Sequence, residues 1–282
     1  LMRGLEIEAQ VGANPYKFGI IGATDSHSGF SAAEERNFQG KFALDSTPGT
    51  KGEELVPGAV GWDMSASGLA GVWATENTRE AIVAAFKRKE VYGSSGPRIA
   101  VRVFGGFDFQ PSDADARDLA EVGYRKGVPM GSDLANAPDG QAPSLLIRAV
   151  KDPKDANLDR IQVVKGWLGP DGTAQEKVYD AAWSDGRVVG ADGALPPVGN
   201  TVDLETGFYT NTIGAAELST VWVDPDFDAG QRAFYYVRVL QIPTPRNSLY
   251  DSIALQQAPP EGHPTTIQER AYSSPIWYTP SN

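Results

Sequence analysis

Apolar residues arrive along this chain in short runs closed by glycine, proline or aspartate, the spacing of strands separated by turns. The first such run, residues 17–22, ends at Gly22 and predicts a buried parallel strand. Residues 23–29 then form a polar loop and 32–38 a short amphipathic piece. Residues 45–71 are a long excursion rich in Gly, Pro, Ser and Thr, without periodicity. The spacing predicts a helix over 77–89. Asn77 and Glu80 fit a capping box, Ala81, Ile82, Ala85 and Phe86 share a face, and Lys87, Arg88 and Lys89 suit the negative end of the dipole. Pro97 turns the chain into a strand at 99–104. A second helix is expected over 112–126, capped by Ser112 and Asp115, with Leu119 and Val122 inward and Gly127 just past its end.

Beyond residue 140 the helical period disappears. Strand-like runs at 144–150, 158–167, 175–182, 217–223, 233–242 and 274–278 alternate with turn signals, among them Asp171-Gly172 and Asp185-Gly186. Strands so spaced, with no long helices between them, indicate an antiparallel β-sandwich.

Composition narrows the function classes. The 282 residues carry 25 Lys+Arg against 36 Asp+Glu, a formal charge of −11. No basic stripe is left to displace counterions from phosphates, which argues against nucleic acid and anionic membrane as partners. No apolar stretch reaches the length of about 18 residues that spans a bilayer. The chain has no cysteine, which removes disulfides, thiol nucleophiles and Cys-ligated metal centres. The 31 glycines and 20 prolines favour turns and short strands over a helix bundle.

The most suggestive local chemistry is Asp25-Ser26-His27, at the C-terminal end of the expected first strand. A carboxylate and an imidazole two residues apart in a turn can point the same way and bind a divalent ion. The plainer reading is a polar loop in which Asp25 caps nearby amides. Only two histidines exist, His27 and His263, so the chain alone cannot build a multi-histidine centre. His263, within Pro259-Pro260-Glu261-Gly262-His263-Pro264, reads as an exposed loop residue. Glu34 and Glu35 diverge by about 100° on a helix, so at most one faces the Asp25–His27 turn. Arg98, after Ser94-Ser95-Gly96-Pro97, can greet an anion or pair structurally with a carboxylate. No nucleophile elbow, P-loop or dinucleotide fingerprint is present, and no catalytic residue can be named. The six tryptophans either pack the sandwich or line a sugar-binding face.

The run Gly19-Ile20-Ile21-Gly22-Ala23-Thr24-Asp25-Ser26-His27 resembles the last metal-binding segment of the PHP (polymerase and histidinol phosphatase) superfamily, a strand ending in Asp-x-His. Several longer stretches resemble the bacterial DUF3604 family. They include Glu34-Glu35-Arg36-Asn37-Phe38-Gln39-Gly40-Lys41, Val91-Tyr92-Gly93-Ser94-Ser95-Gly96-Pro97-Arg98, and residues 73–82, 123–131, 234–240 and 269–278. The resemblance implies an α+β chain: residues 1–98 as the C-terminal part of a PHP-like (β/α) barrel, and 99–282 as a β-rich accessory domain, sandwich-like, with one helix near 112–126. It implies Asp25 and His27 as ligands of a divalent metal (Zn, Mn or Fe), with Glu35 and Arg98 as substrate contacts.

Its chemistry would be hydrolysis of a small-molecule phosphoester in a periplasmic or secreted protein. Longer members of that family look as if they begin with a signal peptide and an early His-x-His segment that supplies other ligands, and this chain has no His-x-His. The expectation is therefore a C-terminal portion of a longer enzyme, weakly active alone. The rival expectation is a non-catalytic sandwich that binds glycan or protein.

Overall fold

In the computed structural model, which describes residues 1–280, the strands pair into two main sheets that share one apolar interior. The strands are β1 (Leu69–Val72), β2 (Val91–Ser94), β3 (Ala100–Gly106), β4 (Gly127–Pro129), β5 (Asp133–Ala135), β6 (Ser144–Val150), β7 (Leu158–Leu168), β8 (Ala174–Trp183), β9 (Glu217–Val223), β10 (Ala233–Gln241), β11 (Arg270–Ser273) and β12 (Ile276–Thr279). The larger, eight-stranded sheet runs β8-β7-β10-β11-β2-β1. Strand β12 takes the rest of the β10 edge and pairs with β5 in turn. The smaller sheet runs β9-β6-β3-β4. Every pairing in these sheets is antiparallel except that of β12 with β5. Among the described residues, four α-helices complete the fold: α1 (Met2–Val11), α2 (Arg79–Arg88), α3 (Leu119–Lys126) and α4 (Asn247–Leu255).

Strand β6 shows why the sequence folds this way. Leu145, Ile147 and Ala149 point into the shared interior, against Ile161, Val163, Val237 and Val239 of the facing sheet. The intervening Leu146 is also fully buried, because Phe109, Ala114 and Leu119 of the α3 region cover the outer face of the small sheet. An unbroken apolar run is what a strand covered on both faces requires. On the far side of the large sheet, Leu5 of α1 packs on Phe234 and Trp277. The layers therefore run helix, sheet, sheet, helix.

The mixed α+β class with mostly antiparallel sheets matches the expectation, but no closed barrel is found among the described residues. Two pieces of the first 98 residues, β1 and β2, form an antiparallel pair that extends the large sheet through β11. Residues 17–22, expected as a buried parallel strand, join no ladder, and Phe18 and Ile21 are exposed. Glycines give that segment another way to dock. A Cβ on Gly22 would fall 2.5 Å from the carbonyls of Leu69 and Ser94, and one on Gly93 would fall 2.5 Å from the Gly22 nitrogen. Backbone lies on backbone at a distance only glycine permits.

Several element boundaries differ from the expected ones, each for a local reason. Helix α2 is capped by Thr78, whose Oγ1 accepts from the Ala81 amide at 3.3 Å, rather than by Asn77. The expected 112–126 helix is split into a 3-10 turn, Pro111–Asp115, and α3. Asp118 caps the second piece by accepting from the Glu121 amide at 3.0 Å. The 32–38 piece is a single 3-10 turn, Glu35–Asn37. Among the described residues no helix is long and apolar enough to cross a membrane.

Candidate functional site

The docked segment 17–23 delivers the chain into the Asp25–His27 turn. The Ser274 hydroxyl accepts from the Ile20 amide at 2.8 Å, and the Ala23 carbonyl accepts from the Gly68 amide at 3.1 Å. Asp25 itself has φ +48°, a left-handed conformation that aspartate tolerates better than most residues. The His27 amide donates to the Lys41 carbonyl at 2.7 Å, and the imidazole lies 4.5 Å from the Phe42 ring, centroid to centroid.

The two side chains do meet: Asp25 Oδ1 is 3.3 Å from His27 Nε2, and both groups are more than half exposed. The other carboxylate oxygen, Oδ2, accepts from the Lys41 ammonium. That ammonium, and then the His27 contact, holds the Asp25 carboxyl below its usual range. A carboxylate oxygen and an imidazole nitrogen, adjacent and open to solvent, fit a divalent ion as a pair of donors. They fill two coordination positions, and Lys41 would have to yield Oδ2 if that oxygen were used. Among the described residues no group of three or more His, Cys, Asp or Glu side chains is placed to hold a metal.

Three residues after His27 the same loop becomes a wall of a cleft of about 690 Å³. Residues 30–37 form one side, Gly96–Arg98 with Asp152, Lys154 and Asp155 another, and Tyr209, Tyr250 and Glu269 close it. The fold thus brings Glu35 and Arg98 to one cavity, whereas Asp25 and His27 lie outside its lining.

Glu35 is buried and fully engaged. Its Oε2 accepts from the backbone and side-chain nitrogens of Asn247, at 2.7 and 2.8 Å, and its Oε1 accepts from the Ala66 amide. The carboxylate therefore caps the start of α4 and ties three segments together. Arg98 has an exposed side chain, and its amide donates to Asp152 Oδ2 at 2.8 Å. Its guanidinium forms no ion pair among the described residues.

Glu269 was not singled out from the sequence and is the most perturbed acid of the cleft. Burial, assisted by the negative charges of Glu35 and Asp155, pushes its carboxyl up to about 8. A hydrogen bond from the Ser95 hydroxyl to Oε2 opposes the shift. Nearby, the Tyr209 hydroxyl donates to Asp155 Oδ1 at 3.0 Å, and burial with that carboxylate raises the phenol well above its ordinary value. A signal for Glu269 existed: it shares strand parity with the buried Ala271 and Ser273, so alternation alone turns it inward.

Of the six tryptophans, Trp277 is buried and the other five are half-buried. The family model described as "Protein of unknown function (DUF3604)" matches residues 1–280. No curated protein and no solved structure matches the chain.

Proposed function

The chain belongs to the DUF3604 family, and from that premise we propose that it contributes part of a metal-dependent hydrolase site of the PHP type, acting on a small phosphoester. One observation carries the reading. The loop that presents Asp25 and His27 continues directly into the wall of the cleft that holds Arg98. A ligand pair beside a cleft that holds an unpaired guanidinium is what phosphoester hydrolysis asks of adjacent surfaces. The relation to PHP enzymes, including the assignment of residues 1–98 to the closing part of such a barrel, rests on the resemblance of residues 19–27.

In this reading Asp25 and His27 would supply two donors to a Zn, Mn or Fe ion, and its other coordination positions would be open to water and to the substrate's oxygens. When bound, such an ion lowers the pKa of water and offsets charge on phosphoryl oxygens. Lys41 orients Asp25. Arg98 receives the anionic group with its free guanidinium. Glu35 acts as a positioning residue, fixing the 30–37 wall through Asn247 and Ala66. Glu269, protonated at neutral pH, gives the cleft a buried group that donates rather than accepts a proton.

Elemental analysis of the purified chain beside Asp25→Ala and His27→Ala tests the assignment. Both variants should carry less metal than the parent. Unchanged metal content in both would show that this turn is not a ligand site. Turnover of a simple aryl phosphate by the chain with added Mn²⁺ or Zn²⁺ should be weak.

A further inference from the structure

A second cavity, of about 560 Å³, lies back to back with the cleft and gathers positive charge. Its lining includes Asp63, Arg246, His263, Gln268 and Arg270. The partition between the two is one extended segment. Successive side chains of an extended chain point to opposite sides. Glu269 accordingly lines the first cleft, while Gln268 and Arg270 line the second. A two-residue ladder of Thr244–Pro245 with Thr266–Ile267 completes the wall.

The charges in this second cavity are unbalanced. Arg246 is only 6% exposed, yet it forms no ion pair among the described residues. Its Nη2 donates to the Met64 carbonyl at 2.8 Å, and its Nη1 is buried with no hydrogen-bond partner. An unpaired buried guanidinium nitrogen is costly, so natural structures normally satisfy it. Arg270 turns Nε and Nη2 back onto the Gln268 carbonyl, at 3.2 and 3.1 Å, and also lacks an ion pair among the described residues. The one carboxylate of the lining, Asp63, lies with Oδ1 3.5 Å from His263 Nδ1, and its Oδ2 accepts from the Val60 amide. Two guanidiniums and an imidazole thus face one carboxylate, in a chain whose formal charge is −11.

We infer that this cavity binds a tetrahedral oxyanion, a phosphate or sulfate group, on the guanidiniums of Arg246 and Arg270 with the His263 imidazole beside them. Planar guanidinium forks match such oxygens in pairs. The site is distinct from the Arg98 cleft and does not depend on the hydrolase reading.

Calorimetric titration of the 282-residue chain with inorganic phosphate, and separately with sulfate, tests it. Saturable binding is expected. Arg270→Gln should weaken it about tenfold or more, the scale of a charge-assisted hydrogen bond. His263→Gln should weaken it by less, and Asp63→Asn should tighten it. Arg246 is buried enough that its variants risk unfolding, so Arg270→Gln carries the decision. Absence of saturation up to about 10 mM anion would overturn the inference. So would affinity that Arg270→Gln leaves intact, or that Arg98→Gln abolishes in its place.

Discussion

The sandwich and the loop layer beside it, residues 17–67, are held in opposite ways. Inside the sandwich Val103, Ile147, Val163 and Val237 are essentially inaccessible and pack on other apolar side chains. The loop layer adds little to that interior and is held largely by individual polar tethers. Glu35 grips Asn247 and Ala66. Lys51, only 1% exposed, reaches Asp251 at 2.6 Å and Asn247 at 3.5 Å, with its ammonium over the rings of Phe38 and Trp62. Arg246 holds the Met64 carbonyl. Burial is non-directional and shared among many contacts. A tether is directional, and losing one partner strands the other. The sandwich should therefore fail as a unit, and the loop layer locally.

The largest effect should come from Ile147→Ala, which opens a cavity in the middle of β6. A loss of about 2–5 kcal/mol is expected, read from urea unfolding. A loss well under about 1 kcal/mol would deny that the two sheets share a rigid interior.

Next is the pH dependence set by Glu269. Its folded carboxyl lies at about 8 against an ordinary 4.5, so the native state keeps a proton that the unfolded chain gives up. The unfolded chain binds fewer protons across that window, so stability should fall as pH rises from about 4.5 to about 8 and then level off, by a few kcal/mol in all. Glu269→Gln, which is neutral throughout, should remove this slope. An identical slope in the variant would place the titration elsewhere.

Glu35→Ala comes third. It removes the acceptor of three N–H donors, at a cost of about 2 kcal/mol. Amide exchange should rise in residues 30–67 and at the start of α4 while β6 stays protected. Equal loosening of β6 would merge the two regions into one cooperative unit.

The smallest effect is Asp25→Asn. An exposed carboxylate on a turn should leave the urea midpoint where it was while lowering metal content. A large stability loss would make the turn a structural tether instead.

The same contrast explains what could be read in advance. Strands β6 and β9 occupy 144–150 and 217–223 as the apolar alternation predicts, because a strand in a sandwich interior announces itself locally. Residues 17–22 share that composition but find no edge to pair with, and only the glycines at 22 and 93 reveal the face-to-face docking. Asp25 and His27 are adjacent, as their spacing suggested. Glu35 sits in the cleft with Arg98, but its three hydrogen bonds come from residues distant in sequence. Alternation turns Glu269 inward, but nothing near it in sequence shows that Glu35 and Asp155 converge on it.

The partition at residues 268–270 has a consequence for mutation by length rather than by identity. Its alternation sends the acid at 269 into one chamber and the arginine at 270 into the other. Inserting or deleting one residue just upstream would exchange them, since a one-step slip turns every side chain to the opposite face. The acid would then face Arg246 and the guanidinium would face Glu35. A single-codon frame-preserving change would thus swap the polarity of both chambers at once, leaving the amino-acid content of the wall nearly the same.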